Sequence, residues 1–132
     1  MTQPTAPEKA PAMLPGPASS TWAKIAFVLA AALALQAVGW PIFYFATGST
    51  KTSPNPVIYV YLWALGIGVV VYHILLLAMF LRGRAESRAG YTTAAKRYIE
   101  RPQLDPKTGR IVRAAFEPYI DRKTYRERVK SN

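Results

Sequence analysis

Two long apolar runs divide the chain. Residues 25–46, from Ile25 to Ala46, carry no charge, and residues 57–81, from Val57 to Leu81, carry none unless His73 is protonated. A helix needs about 20 residues to cross the roughly 30 Å hydrocarbon layer of a bilayer, so each run is long enough. Both are apolar on every side, which separates them from the one-faced stripe of a surface helix. In a chain of 132 residues no third apolar layer is left to wrap two such helices into a soluble core. The pattern predicts an all-α membrane protein, a hairpin of transmembrane helices over residues 21–46 and 57–81.

The flanking segments read differently. Residues 1–20 hold Pro4, Pro7, Pro11, Pro15 and Pro17 among Ala, Thr and Ser, a composition that favours extended chain without packing of its own. Ser19, Ser20 or Thr21 is then expected to cap the first helix. Residues 47–56, Thr47 to Pro56, are polar and rich in turn formers, too few for an external domain. Residues 82–132 form a basic tail, expected to be mostly extended or short-helical. Arg82 to Glu100 continues the second helix, interrupted near Gly90 and ending before Pro102. Leu104 to Arg110 is a turn joining two short extended pieces. Phe116, Tyr119, Ile120 and Tyr125 make a weak amphipathic stripe broken by Pro118.

Charge sets the expected orientation. There are 17 basic and 7 acidic residues, a net charge of +10. Lys9 and Lys24 precede the first run and Lys51 lies in the loop. Every other basic residue follows Leu81, together with all the acids except Glu8. Basic flanks stay in the cytoplasm, so the tail is expected there, and an even number of spans places the N-terminus beside it. Trp40, Phe43, Tyr44, Phe45, Tyr59, Tyr61 and Trp63 toward the loop, and Trp22 and Phe80 at the other end, suit interfacial belts. A secretory signal ending near Ala32-Leu33-Ala34 is disfavoured. The segment before it pairs Glu8 with Lys9 where a signal would be distinctly basic, and the apolar run continues to Ala46, so the segment is expected to be retained.

Candidate chemistry is sparse. The chain has no cysteine, which excludes disulfides, thiolate metal sites and cysteine nucleophiles. It has no phosphate-cradling glycine loop, Ser-His-Asp set or carboxylate pair, so it is expected to be non-enzymatic, with no cofactor, metal or small-molecule substrate of its own. His73, the single histidine, sits within the second run, where haem ligation, quinone contact or proton relay would each use an imidazole. Each needs further groups that neither run supplies. His73 is read instead as a neutral residue bonded to a neighbouring helix, and Gln36 likewise, the two lying too far apart in depth to bond each other. Ala26, Ala30 and Ala34 recur every fourth residue, as do Ala64 and Gly68, marking close-approach faces toward each other or toward partner helices. Pro41 is expected to bend the first helix.

The basic tail suits anionic lipid headgroups, with Arg82, Arg84 and Arg88 abutting the membrane. Nucleic acid is disfavoured because acids interrupt the charges. Tyr98, Phe116, Tyr119 and Tyr125 are the tail's candidate anchors for a protein partner. A thin hairpin, a Pro-rich start and such a tail have little to bury among themselves, which points to larger membrane subunits as partners.

The hairpin with its Ala-rich first span, and the tail beginning Leu81-Arg82-Gly83-Arg84, resemble small accessory subunits of actinobacterial cytochrome oxidase and respiratory supercomplexes. In such subunits haems, copper and quinone sites belong to larger chains. The resemblance therefore implies a stabilising or bridging role in a bacterial plasma membrane. Two other readings fit the same residues: an accessory subunit of a transporter or envelope-biogenesis complex, and a redox protein in which His73 binds haem.

Overall fold

The structure, a computed structural model, describes residues 10–50, 52–53 and 55–131. The first proline residues of the Pro-rich start, Lys9, Lys51 and Pro54 lie outside the described residues. Two helices, α1 (Ser19–Ala46) and α2 (Val57–Arg88), are long and apolar enough to cross a membrane. The chain divides into two compact units, one of Trp22–Ala78 and one combining the chain before Trp22 with the chain after Ala78.

The first unit is a helical hairpin. Asn55 Oδ1 accepts the Val57 N–H at 3.0 Å and Pro56 enters the helix beside it, so α2 starts on a side-chain cap followed by a residue with no N–H to satisfy. In the connection Ser49, which is buried, accepts the Asn55 N–H at 3.0 Å. A seam of less exposed positions runs along each helix, through Ala26, Leu29, Leu33, Gln36, Trp40 and Phe43 of α1 and through Ile58, Tyr61, Leu65, Gly68, Tyr72 and Leu75 of α2. Each set advances by alternating steps of three and four, the spacing of a coiled-coil seam. Leu33 fills the space over Gly68, where a Cβ would stand 2.6 Å from its Cδ2. Toward the loop, Tyr61 stacks on Phe43 at 5.2 Å and on Trp40 at 6.0 Å. Outside the seam the helices are uncovered: Phe27, Leu35 and Trp63 each leave more than two-thirds of their surface open. Pro41 lies inside α1, which continues past it to Ala46.

The second unit is built from short pieces. Helix α2 stops at Arg88 and does not run on toward Glu100. Gly90 takes a φ of +89° that a side chain would resist, and the Tyr91 N–H closes the last turn on the Glu86 carbonyl at 3.2 Å. Thr92 then forms a bridge to Gln103, and strands β1 (Gln103–Leu104) and β2 (Ile111–Arg113) pair antiparallel. Their turn is tied by Asp105, whose Oδ2 accepts the Thr108 N–H at 3.0 Å and hydroxyl at 2.8 Å. Helix α3 (Arg122–Ser131) is capped by Asp121, which accepts the Thr124 N–H at 2.9 Å. The stripe read from Ala114 is not helical before Arg122. Tyr91 and Leu104 are fully buried and Val112 nearly so, but Glu86, Thr92, Gln103 and Arg113 are buried with them. The interior of this unit is as polar as it is apolar.

Candidate interaction surfaces

The most densely bonded side chain is Glu86, fully buried in the last turn of α2. Its Oε1 accepts the Ser19 N–H at 2.7 Å. Its Oε2 accepts the Ser19 hydroxyl at 2.6 Å, the Thr93 hydroxyl at 2.8 Å and the Thr93 N–H at 3.2 Å. The Ser20 N–H meets the Thr93 hydroxyl at 3.3 Å. The opening N–H groups of α1, which have no partner inside the helix, are thus satisfied by residues some seventy positions later in the chain, and the negative end of the glutamate faces the positive end of the helix dipole. The expectation that Ser19, Ser20 or Thr21 supplies the cap is corrected: Ser19 donates, and Glu86 is the acceptor.

The N-terminal segment is held by the same elements. Arg82 Nη2 donates to the Leu14 carbonyl at 2.8 Å and Nη1 to the Pro15 carbonyl at 2.9 Å, while its Nε lies 3.6 Å from Glu86 Oε1. The Leu14 N–H donates to the Tyr91 hydroxyl at 3.0 Å. An extended Pro-rich chain makes no internal backbone bonds, so its carbonyls are free for a guanidinium, and prolines with fixed φ lose little freedom on docking.

Helix α3 is joined to the hairpin of strands by charge. Tyr125 donates to Asp105 Oδ1 at 2.8 Å, and Arg128 pairs with Glu117 through bonds of 2.6 and 3.0 Å while also donating to the Val112 carbonyl at 2.9 Å. Partial burial works to raise the Asp105 pKa, but the bonds from Tyr125 and Thr108 outweigh it and hold the carboxyl below its usual range. Burial, and the carboxylate beside it, push the Tyr125 hydroxyl up. The hydrogen bond from Arg128 is the main cause that lowers Glu117. Arg113, buried, donates to the carbonyls of Glu117 at 2.7 Å and Arg101 at 3.3 Å.

One face of this unit remains apolar and open. Phe116 is 76% exposed, with Ile99 and Tyr119 more than half exposed. Phe116 has a φ of +61°, a conformation that costs an aromatic residue about 1 kcal/mol or more, and the bond from its N–H to the Ile99 carbonyl at 2.8 Å holds it there. Ile99 and Tyr119 also line a cavity of about 220 Å³, and Lys96 Nζ lies 5.4 Å from the Tyr119 ring. No protein-family model, curated protein or solved structure matches the chain.

The residues singled out from the sequence fall into three groups. Ala26 and Gly68 lie on the helical seam and Ala30 is half-buried next to Leu29, whereas Ala34 and Ala64 are exposed. Four residues advance an α-helix by about 400°, so positions four apart drift by about 40° each and leave a seam that follows the heptad. Gln36 donates to the Tyr61 carbonyl at 3.3 Å, and the Tyr61 hydroxyl returns a bond to the Gln36 carbonyl. Among the described residues His73 makes no bond to α1: its Nδ1 donates to its own helix at Val69 O, 2.8 Å away, and the side chain is exposed. Among the described residues no cluster of His, Asp and Glu is arranged to hold a metal. Of the tail aromatics, Phe116 and Tyr119 face outward, Tyr98 is half-buried with a φ of +53°, and Tyr125 is engaged by Asp105. Arg84 lies 5.4 Å from the Phe80 ring, Arg88 is exposed at the end of α2, and Arg82 is occupied by the N-terminal segment. Glu86 and Thr93 were not visible as a site. Their one local signal is the spacing of Arg82 and Glu86, an i,i+4 pair on one helix face.

Proposed function

We propose that the chain is a two-span membrane protein serving as a non-catalytic accessory subunit, which stabilises or bridges a multisubunit complex of a bacterial plasma membrane. The parent complex is respiratory, of the cytochrome oxidase type that the sequence resembles, and both termini are cytoplasmic. The observation that carries this reading is the apolar surface left uncovered. Almost none of the most apolar stretch of α1 is buried, and none of that of α2, which is what lipid and partner helices would cover and what a soluble core helix would not show. Phe116 and Tyr119, with Ile99 beside them, add an apolar anchor set on a basic unit, and aromatic residues of this kind are enriched at protein interfaces. The basic residues after Leu81 support the orientation.

Purification in mild detergent is expected to bring down larger membrane subunits at fixed stoichiometry, with haem absorption bands in the assembly. Transporter components without such bands would move the subunit to another complex, and recovery of the chain alone would overturn the accessory role. Replacing Phe116 and Tyr119 by serine is expected to reduce recovery of the partners without unfolding the chain. Cysteines at Thr52 and Ser131 are expected to label from outside and inside the cell. Thr52 is exposed, unlike Ser49, whose hydroxyl organises the loop.

A further inference from the structure

A groove runs along the hairpin between α1 and α2, with a volume of about 600 Å³, within the roughly 300–1,000 Å³ range of ligand sites. Its walls are Ile25, Val28, Leu29 and Ala32 of α1 with Val71 and Leu75 of α2, and no polar surface lines it. At one end stands Lys24, the residue immediately before the apolar run, whose methylene stem joins the apolar lining and whose ammonium has no hydrogen-bond or ion-pair partner among the described residues. From Lys24 to Ala32 is eight residues, about 12 Å along a helix axis. Half of a roughly 30 Å hydrocarbon layer is about 15 Å, so the groove extends from a charged mouth through most of one leaflet.

We propose that this groove binds a single anionic phospholipid, one acyl chain lying against Val28, Ala32 and Val71 while the phosphate meets the Lys24 ammonium. The inference rests on reading α1 and α2 as membrane spans. An amphiphile with one negative head and one apolar chain has the same two parts as the groove, in the same order and on the same length scale. A partner helix without an acidic residue at this depth would fill the apolar walls but leave Lys24 without a counter-charge. Arg84 and Arg88 lie outside the groove, so a general attraction of the basic flank to anionic lipid is separable from this site.

The test uses the purified full chain in phosphatidylcholine vesicles, with and without phosphatidylglycerol, and spin-labelled analogues of both lipids. The wild type is expected to immobilise the phosphatidylglycerol analogue about fivefold more strongly than the phosphatidylcholine analogue, the equivalent of about 1 kcal/mol for one cation at the leaflet surface. Lys24→Ala is expected to bring that preference close to parity, and a double Arg84→Ala, Arg88→Ala variant to retain it. Ala32→Trp, which fills the groove, is expected to release the immobilised chain. If the chain is extracted from vesicles by alkaline carbonate, the membrane reading and the groove both fall. If it stays in the bilayer but shows no lipid preference, or keeps the preference in Lys24→Ala, the groove alone falls. A partner helix crosslinked into the groove in the native assembly would also overturn the lipid assignment.

Discussion

Replacing Glu86 by alanine removes four acceptor contacts at once. The two hydroxyls can turn toward each other, since Ser19 Oγ and Thr93 Oγ1 are already 3.0 Å apart. The Ser19 and Thr93 N–H groups cannot, and both residues are buried. A buried donor left without a partner costs about 1–3 kcal/mol, so two such donors set a loss of about 2–6 kcal/mol. Glu86→Gln keeps one oxygen. Placed to serve the Ser19 and Thr93 hydroxyls and the Thr93 N–H, that oxygen leaves only the Ser19 N–H bare, so the loss is about half as large. Hydrogen exchange of the full chain in detergent reads the effect directly. At about 1.4 kcal/mol per factor of ten, Glu86→Ala is expected to accelerate exchange of residues 19–21 and 93 by at least about 25-fold, with Glu86→Gln intermediate. The strap at residues 14–16 should loosen with them, because Arg82 loses the charge beside it. Unchanged protection in Glu86→Ala would refute the reasoning, since the amides of α1 would then be satisfied without the glutamate.

Three further outcomes are expected. Asp105 and Glu117 have lowered pKa values, so the stability they lend α3 is present above the ordinary carboxylate pKa of about 4 and is lost as pH falls through their lower folded values. Acid titration followed by exchange of residues 122–131 should show α3 releasing, with a smaller transition in Asp105→Asn. Ser20 has a buried hydroxyl without a partner, so Ser20→Ala should leave the melting temperature unchanged or raise it, and a clear fall would reveal a bond the structure lacks. Gly68→Ala meets only the flexible end of Leu33 and should be tolerated, whereas Gly68→Val should overpack the seam and lower detergent stability by about 1–3 kcal/mol.

The two long helices were legible because an uncharged run is a local property, readable without knowing what lies opposite. The end of α2 was legible only in part. Gly90 marked an interruption, but nothing in the following residues says that Thr92 and Thr93 leave the helix to pair with Gln103 and Glu86. Glu86 itself looked like one acid among many in a basic tail, since its meaning depends on Ser19, 67 residues earlier. The Pro-rich segment carries no hydrophobic periodicity, and its docking runs through backbone carbonyls, which every sequence possesses and none advertises. Ala34 shows the converse error: a regular spacing of small residues was present, but at a period that drifts away from the seam.

The capping of α1 by Glu86 and Thr93 also orders events in time. The first helix begins at Ser19, yet the hydroxyl that closes its opening turn belongs to a residue 74 positions later. At a synthesis rate of about 5–20 residues per second, the start of α1 waits roughly 4–15 seconds for its last acceptor. During that interval its leading amides have only water to bond, so this end of the helix stays wet and frayed while the ribosome completes α2. A chain truncated before Thr93 would keep both apolar helices and Glu86 but leave the Ser20 N–H without its acceptor, so the clasp closes in two steps, first on the glutamate and then on the threonine.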